Sequence, residues 1–485
     1  MTLNKSLTID EPFSANLVHL PWAEMFKMFL RDPSAPLYYL FLKLWVSIFG
    51  ESEGALRSLS ALFFAFTILV VGITAKRLDG ISSGIAAAML ASVSSIGLAF
   101  AGTARPYALL SLLTAISIMI FFSIVDLIKT NLMETNRKSV LFGGFVLINV
   151  LALLTHPIFI FFMIGYSVAV WTKSRRKFWV ISLCNYLSVG IYLLVWGTFF
   201  LHTVVLPATT WLEVPDIKDL IHGYLNVWGI AGTILLFLYI VLTTKWHLRS
   251  IQDFILSQLG LMGLVILTAT SLLPFLISQY KPVFDDSRIP ALFFPMVSVL
   301  VAILITRFRN LKVTFGVLVL LFGFVFSGPV LALRDSGIEH SPRSSVQYVI
   351  ENAKCGDILV VGGMSINETT YYMRHLQAAD CLQVIAFPKS MNDHPGWMDP
   401  LGLLQHPDQL SKEADILVND IGQTLGNQNH VWFFYETRTP RQKVLDVLKA
   451  QFDQRMVLNQ AVPGYGTFFE SMLVYSSKQP VYNPN

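Results

Sequence analysis

Asp10 and Glu11 are the first adjacent side chains that could do chemistry. In a solvated loop such a pair costs little and needs no function. Held beside a membrane surface, one carboxylate can act as a general base toward a hydroxyl. Four cations form a second set: Arg57, Arg105, Lys281 and Arg288, each at the end of a long apolar run. Any one of them reads as a side chain snorkelling toward headgroups. Four together on the membrane side that is poor in Lys and Arg are harder to assign that way. His156 lies in a tight reversal, Thr155-His156-Pro157, where a capping or hydrogen-bonded histidine is the plain reading. Asp285-Asp286 could take a divalent ion, but one acidic pair is a thin ligand set. No Cys/His set has zinc spacing. No metal or cofactor is therefore expected, with a divalent cation left open. Cys355 and Cys381 each immediately precede a predicted strand. If those strands are parallel neighbours, the thiols start side by side, and outside the cytoplasm a disulfide is open to them. Two unrelated buried thiols are the equal alternative, and Cys184, mid-span, reads as inert packing.

The elements that must hold these residues are set by composition. The chain has 485 residues, 54% hydrophobic and only 14% charged. Soluble domains carry about 25% charged residues, so an ordinary soluble enzyme is excluded. Spanning helices need about 20 mostly apolar residues. Ten candidates follow: 55–75, 82–100, 106–128, 140–155, 157–171, 178–200, 226–244, 254–277, 289–306 and 313–332. Alternate loops between them hold fourteen Lys and Arg, whereas the opposite short loops hold four: Arg105, Lys218, Lys281 and Arg288. This bias places the basic loops in the cytoplasm. It is a topology signal, not a nucleic-acid surface. Residues 1–54 and 333–485 are then outside. No signal peptide precedes residue 1, so the orientation predicts a further span upstream of Met1 or a misassigned start codon.

Three regions result. Residues 1–54 form a first outer loop; stretches 12–30 and 36–49 within it read as helices lying in the interface, the alternative being a short span at 36–49 that would invert every later loop and break the charge bias. Residues 55–332 form the transmembrane helices. Residues 333–485 alternate strand and helix as a small extracytoplasmic α/β domain. Its expected elements are helices at 344–352, 367–378 and 440–452, strands at 357–363, 382–387 and 431–435, and a hairpin or edge strand at 467–475. Gly362-Gly363 is no dinucleotide fingerprint.

Several of these segments resemble, in order, motifs of one family. Ser6-Leu7-Thr8-Ile9-Asp10-Glu11-Pro12-Phe13-Ser14 is similar to the S-L-x-x-D-E-x-x-S segment of GT-C superfamily membrane glycosyltransferases. The branch is the family 39 type, similar to protein O-mannosyltransferases and aminoarabinose transferases. Asp32-Pro33-Ser34-Ala35-Pro36-Leu37-Tyr38-Tyr39 resembles H-P-P-L-Y-Y, and Gly50-Glu51-Ser52-Glu53-Gly54-Ala55-Leu56-Arg57 resembles G-x-S-E-x-A-L-R. Ala104-Arg105-Pro106-Tyr107-Ala108-Leu109-Leu110 matches A-R-P-Y-x-L-L. Lys281-Pro282-Val283-Phe284 with Arg288, Ile289 and Pro290 resembles K-P-V-F-x-x-R-Y-x-x-P. The resemblance covers roughly residues 6–305. It departs where His-Pro-Pro is Ser34-Ala35-Pro36 and where the aromatic after Arg288 is Ile289.

The resemblance implies a polytopic α-helical GT-C protein of the inner (cytoplasmic) membrane. It would move a sugar, with inversion, from a polyprenyl-phosphate donor to a protein, lipid or glycan acceptor on the outer side. Asp10 matches the family's catalytic aspartate, and Glu11 would position donor or acceptor. The lipid phosphate departs as an anion, which Arg57, Arg105, Lys281 and Arg288 would stabilise at the headgroup plane. His156 matches a position that is often basic or His, and would contact phosphate. Apart from the resemblance, position alone suggests that the 201–226 loop, with Trp211, Glu213 and Asp219, covers the donor. A transporter would need mid-membrane charges and inverted repeats, which are scarce here. A non-catalytic relative binding envelope glycans is the other alternative, kept open by the altered His-Pro-Pro.

Overall fold

The computed structural model describes residues 5–7, 10–32, 35–130, 135–171, 174–205, 212–244, 248–307, 314–320, 323, 341–377, 382–393, 398–426, 428–467 and 469–478. Most of the expected span 313–332 lies outside these residues, as do Ser34, Trp211 and Cys381. The chain divides into two compact units. One holds the described residues between 33 and 335; the other joins those of 4–32 to those of 336–485. The expected first block, 1–54, is thus divided near residue 32. The reason is hydrogen bonding: Leu7 and Asn16 bond to residues 367–374 of the second unit.

Two short helices, α1 (Glu11–His19) and α2 (Trp22–Phe29), belong to the second unit. The expected single stretch 12–30 is broken at Leu20-Pro21, because proline cannot continue a helix beyond its first turn.

The first unit is helical. It comprises α3 (Leu37–Phe49), α4 (Glu53–Asp79), α5 (Ile81–Ser92), α6 (Ser95–Ala101), α7 (Tyr107–Thr130), α8 (Thr135–Leu153) and α9 (Ile160–Trp171). It continues with α10 (Arg175–Val205), α11 (Ile217–Leu225), α12 (Gly229–Thr244), α13 (Leu248–Leu256), α14 (Gln258–Ile277) and α15 (Pro290–Thr306). Ends follow local chemistry. Ser52 accepts from Ala55 N to cap α4, whose last turn carries Lys76 and Arg77 against the dipole's negative end. Gly80, at φ +106°, closes α4 and opens α5.

Among the described residues four helices are long and apolar enough to cross a membrane: Glu53–Asp79, Tyr107–Ile128, Arg175–Leu201 and Gln258–Ile277. Two bent pairs would make six: α5 with α6 at 59°, and α11 with the first part of α12 at 78°. The expected span 82–100 is the first pair, broken where Ser94 caps α6 through Gly97 N. The expected span 254–277 is likewise interrupted, by Ser257 capping α14. The stretches expected at 140–155, 157–171 and 289–306 are shorter apolar helices. On α10, Leu194 is 88% exposed and Tyr186 71%, an apolar surface that suits lipid and would be a liability in water.

The second unit is a five-stranded sheet with order β2-β1-β3-β5-β4. The strands are β1 (Ile358–Gly362), β2 (Gln383–Phe387), β3 (His430–Tyr435), β4 (Met456–Pro463) and β5 (Ser471–Ser477). β2, β1 and β3 run parallel; β5 pairs antiparallel with β3 and with β4. β1 is buried at every position, as a central parallel strand must be. Asp357, just before it, accepts from His430 N at 2.9 Å and Trp432 Nε1 at 3.0 Å, fixing the start of β1 against β3. These bonds hold the Asp357 carboxyl below its usual range against the opposing effect of burial, which is the largest single influence.

Helices α16 (Pro342–Asn352), α17 (Ile366–His375), α18 (Pro407–Thr424) and α19 (Arg441–Arg455) accompany the sheet. Leu410, Ala414, Val418 and Ile421 of α18 and Val444, Leu445, Leu448 and Phe452 of α19 form its core with Val431, Phe433 and Tyr475. The expected strand at 467–475 is β5, which is internal; the edge belongs to β4. β1 and β2 are the parallel neighbours that a Cys355–Cys381 pairing requires, with Ile358 opposite Gln383. Cys355 is exposed.

Candidate active site

In the helical unit, two of the expected cations and one histidine are placed by helix termini and turns. Arg105 lies on the α6–α7 turn, ahead of Pro106, and its Nη1 donates to Tyr39 Oη at 3.0 Å. Tyr39 itself is fully buried on α3. Tyr107, two residues after Arg105, opens α7. Its ring centroid is 5.9 Å from the His156 ring and 5.8 Å from Arg288 Cζ. Arg288 precedes α15, and its Nε pairs with Asp285 Oδ2 at 3.2 Å. Two segments distant in sequence, at His156 and Arg288, thus meet at the Tyr107 ring, and Arg105 ties the same turn to α3 through Tyr39.

His156 reports the same convergence electrostatically. Burial, then the charges of Arg288 and Arg105, push its pKa down to about 4. Its Nδ1 accepts from Ile158 N at 3.3 Å, capping the single turn Pro157–Phe159. The ring is therefore neutral near pH 7 with its proton on Nε2, a hydrogen-bond donor that adds no charge. The capping role expected from Thr155-His156-Pro157 and a ligand-facing role are thereby compatible, one for each nitrogen.

The remaining cations are placed differently. Arg57 is buried, one helical turn after buried Glu53 on α4. Lys281 is exposed on the turn after α14. Tyr39 and Tyr107 were absent from the expected site set. Both lie inside the motifs given above; for Tyr107 the nearby Arg105 was the available signal, whereas nothing in the sequence links Tyr39 to an arginine.

A possible divalent-cation set differs from Asp285-Asp286. Asp285 is taken up by Arg288 and by Ser287 N at 2.8 Å. Asp286 instead approaches Asp219 and His222 of α11, and one ligand atom from each lies within 4.8 Å of the others. Asn226 Nδ2 donates to Asp286 O at 3.4 Å, and Gly223 comes close enough that a Cβ would sit 3.8 Å from that oxygen. Burial, then Asp285 and Asp219, raise the Asp286 carboxyl above its usual range. Two carboxylates and an imidazole are a chemically sound set for a divalent ion. Glu213, from the same loop, is exposed.

In the sheet unit, Asp10 occupies the N-cap position of α1 without using its side chain to cap it. Its carbonyl accepts from Ser14 N at 3.2 Å. Glu11, the first residue of α1, is 2% exposed, and Pro12, Phe13, Ser14 and Ala15 are buried after it. The acids are thus held on ordered backbone.

No protein-family model matches the chain, and no curated protein matches it in sequence. Among solved structures it is similar to ArnT from Cupriavidus metallidurans in the apo state. That match covers 100% of this chain and 96% of that one, with TM-score 0.63 and 10% identity. The chain has the GT-C fold. ArnT from the same organism bound to undecaprenyl phosphate matches over the same shares, with TM-score 0.56 and 10% identity. The resemblance first carried by five short motifs therefore extends, as fold, over the full chain, including the C-terminal part where no motif was recognised.

Proposed function

We propose that this chain is an integral-membrane glycosyltransferase that moves a sugar from a polyprenyl-phosphate donor to an acceptor hydroxyl on the outer side of the cytoplasmic membrane. The observation that carries the proposal is the meeting of Arg288 and neutral His156 at the Tyr107 ring, with Arg105 near enough to His156 to act on its charge. Two guanidiniums close to one histidine that burial already keeps neutral suit an anion. A neighbour of the same fold bound to undecaprenyl phosphate supports the class of donor.

The roles follow. The acceptor oxygen attacks the anomeric carbon from the face opposite the lipid phosphate; the carbon–oxygen bond to phosphate breaks, and the configuration inverts. Asp10 takes the acceptor proton, and Glu11 positions a substrate. The bonding electrons leave on the phosphate, whose charge Arg105 and Arg288 stabilise, with Arg57 and Lys281 adding positive potential. His156 donates from Nε2. All ten expected apolar segments are taken as membrane crossings, with the sheet unit extracytoplasmic. Its partners are a sugar donor, an acceptor and lipid; no organic cofactor enters the reaction, and a divalent cation is left open at Asp219, His222 and Asp286.

The test offers purified protein a panel of undecaprenyl-phosphate-linked sugars with membrane extract, and reads transfer by mass spectrometry. At least one donor should be consumed. Asp10→Asn should slow transfer by roughly 10²–10⁴-fold, the worth of a positioned base, with undecaprenyl phosphate affinity unchanged. Failure to consume any donor, or full activity in the variant, overturns the reading.

A further inference from the structure

The acidic segment is tied at two points to α17. Ahead of the pair, the fully buried Tyr372 hydroxyl accepts from Leu7 N at 2.6 Å. After the pair, Asn16 spends both ends of its amide on α17: Nδ2 donates to Asn367 O at 2.9 Å, and Oδ1 accepts from Arg374 Nη1 at 3.2 Å. Asp10 and Glu11 lie between these anchors. α17 is itself braced. It follows β1 through Gly363 at φ +54° and a single turn, and Thr369 Oγ1 donates back to Ser365 O at 2.8 Å. Both Glu368 oxygens accept from Thr467 N, at 3.0 and 3.1 Å. Tyr371 packs edge-on to Tyr372, stacks on His375 and lies 5.9 Å below the Arg374 guanidinium. The path runs from the central strand to one rigid helix to the backbone on both sides of the acids.

We infer that Tyr372, Arg374 and Asn16 are positioning residues that fix the Asp10–Glu11 pair for catalysis, so that the C-terminal sheet unit is a working part of the transfer machinery. This rests on the glycosyltransferase reading. Leu7 and Asn16 are both hydrogen-bonded to one helix, and an Asn that satisfies donor and acceptor at once cannot be replaced isosterically without losing a bond. Small displacements of a base from its acceptor cost rate steeply, whereas binding of the lipid phosphate by cations of the helical unit does not pass through this anchor.

The experiment uses the full chain with Asn16→Leu, Arg374→Ala, Arg374→Lys and Tyr372→Phe. Hydrogen–deuterium exchange reads residues 10–19, and transfer kinetics use whichever donor the panel identifies. Exchange over 10–19 should quicken in Asn16→Leu and Arg374→Ala, while residues 53–79 and 107–130 stay as in the parent. In the same variants kcat should fall by about 10–100-fold with donor KM and undecaprenyl phosphate Kd nearly constant, and Arg374→Lys should recover part of the loss. Quickened exchange with unchanged kcat overturns the positioning role, as does a loss confined to KM. Unchanged exchange overturns the anchor itself. An inactive parent chain would instead overturn the glycosyltransferase reading and the catalytic role with it.

Discussion

At the scale of single residues, the organising feature is a tyrosine ring used as a common floor. Arg288 lies 5.8 Å from the Tyr107 centroid, a contact worth about 0.5–1 kcal/mol where exposed. That contact and the Asp285 pair hold the guanidinium in place with one nitrogen committed to the carboxylate. A hydrogen bond to a charged group contributes about 1.5–3 kcal/mol, so Arg288→Ala should weaken undecaprenyl phosphate binding by roughly 10–100-fold. His156→Gln keeps a neutral donor and should change the Kd by less than about threefold, since a neutral hydrogen bond contributes about 1 kcal/mol. Calorimetry or fluorescence titration on both variants checks the ranking, and the reverse order would remove the guanidinium from phosphate binding. The pH dependence has a defined sign. The folded pKa of His156, about 4, lies below its unfolded value near 6.5. The unfolded chain therefore takes up the proton first, so stability from this residue is complete above about pH 6.5 and drains away toward pH 4.

At the scale of elements, the sequence displays most clearly what burial and charge write into composition. The long apolar helices, the central strand β1 and the helices at 342–352, 366–375 and 441–455 all follow from continuous apolar runs or a 3.6 period. What the pattern hides is equally physical. β4 is exposed along most of its length, so it carries no alternation; only pairing with β5 makes it a strand. α18 buries Leu410, Ala414, Val418 and Ile421 in the core across 18 residues, with Leu417 partly buried beside them, a stripe thin enough to be passed over among charges. The breaks in the apolar helices come from Ser94 and Ser257, whose hydroxyls offer the backbone a cap that hydropathy does not register. At the proposed site, Arg105 and Arg288 stand out in the sequence as charges at the ends of apolar runs, whereas Asp10 is singled out only by the motif around it. The exchange of Asp285 for Asp219 and His222 as partners of Asp286 depends on α11 docking through Gly223, which only coordinates reveal. The same kind of close approach governs α4 and α5. A Cβ at Gly84 would lie 2.9 Å from Gly72 O and 2.7 Å from Lys76 Cβ. Gly84→Leu should therefore separate the two helices and destabilise the protein by about 1–3 kcal/mol, read as a lower Tm in detergent. An unchanged Tm would mean that this contact does not set the α4–α5 spacing.

At the scale of the whole molecule, the chain's two ends build one unit: residues 4–32 join 336–485, while the helical unit lies between them in sequence. An early acidic segment thus completes a domain whose sheet is made several hundred residues later. On the proposed topology both ends face the exterior, and the loop-charge bias is the physical basis for that assignment. Cys355 offers a direct check, because it is exposed in the sheet unit while Cys184 is buried in α10. In spheroplasts treated with a membrane-impermeant maleimide, Cys355 should be labelled without permeabilisation. If it is paired with Cys381, labelling should require prior mild reduction and then rise from none to about two thiols per chain, as an oxidising compartment permits. Cys184→Ala serves as background and should not alter either signal. Labelling that appears only after the membrane is opened would put the sheet unit in the cytoplasm. The acidic pair would then be on the wrong face for an exterior acceptor, and the assignment of the fourteen basic residues to cytoplasmic loops would fall with it.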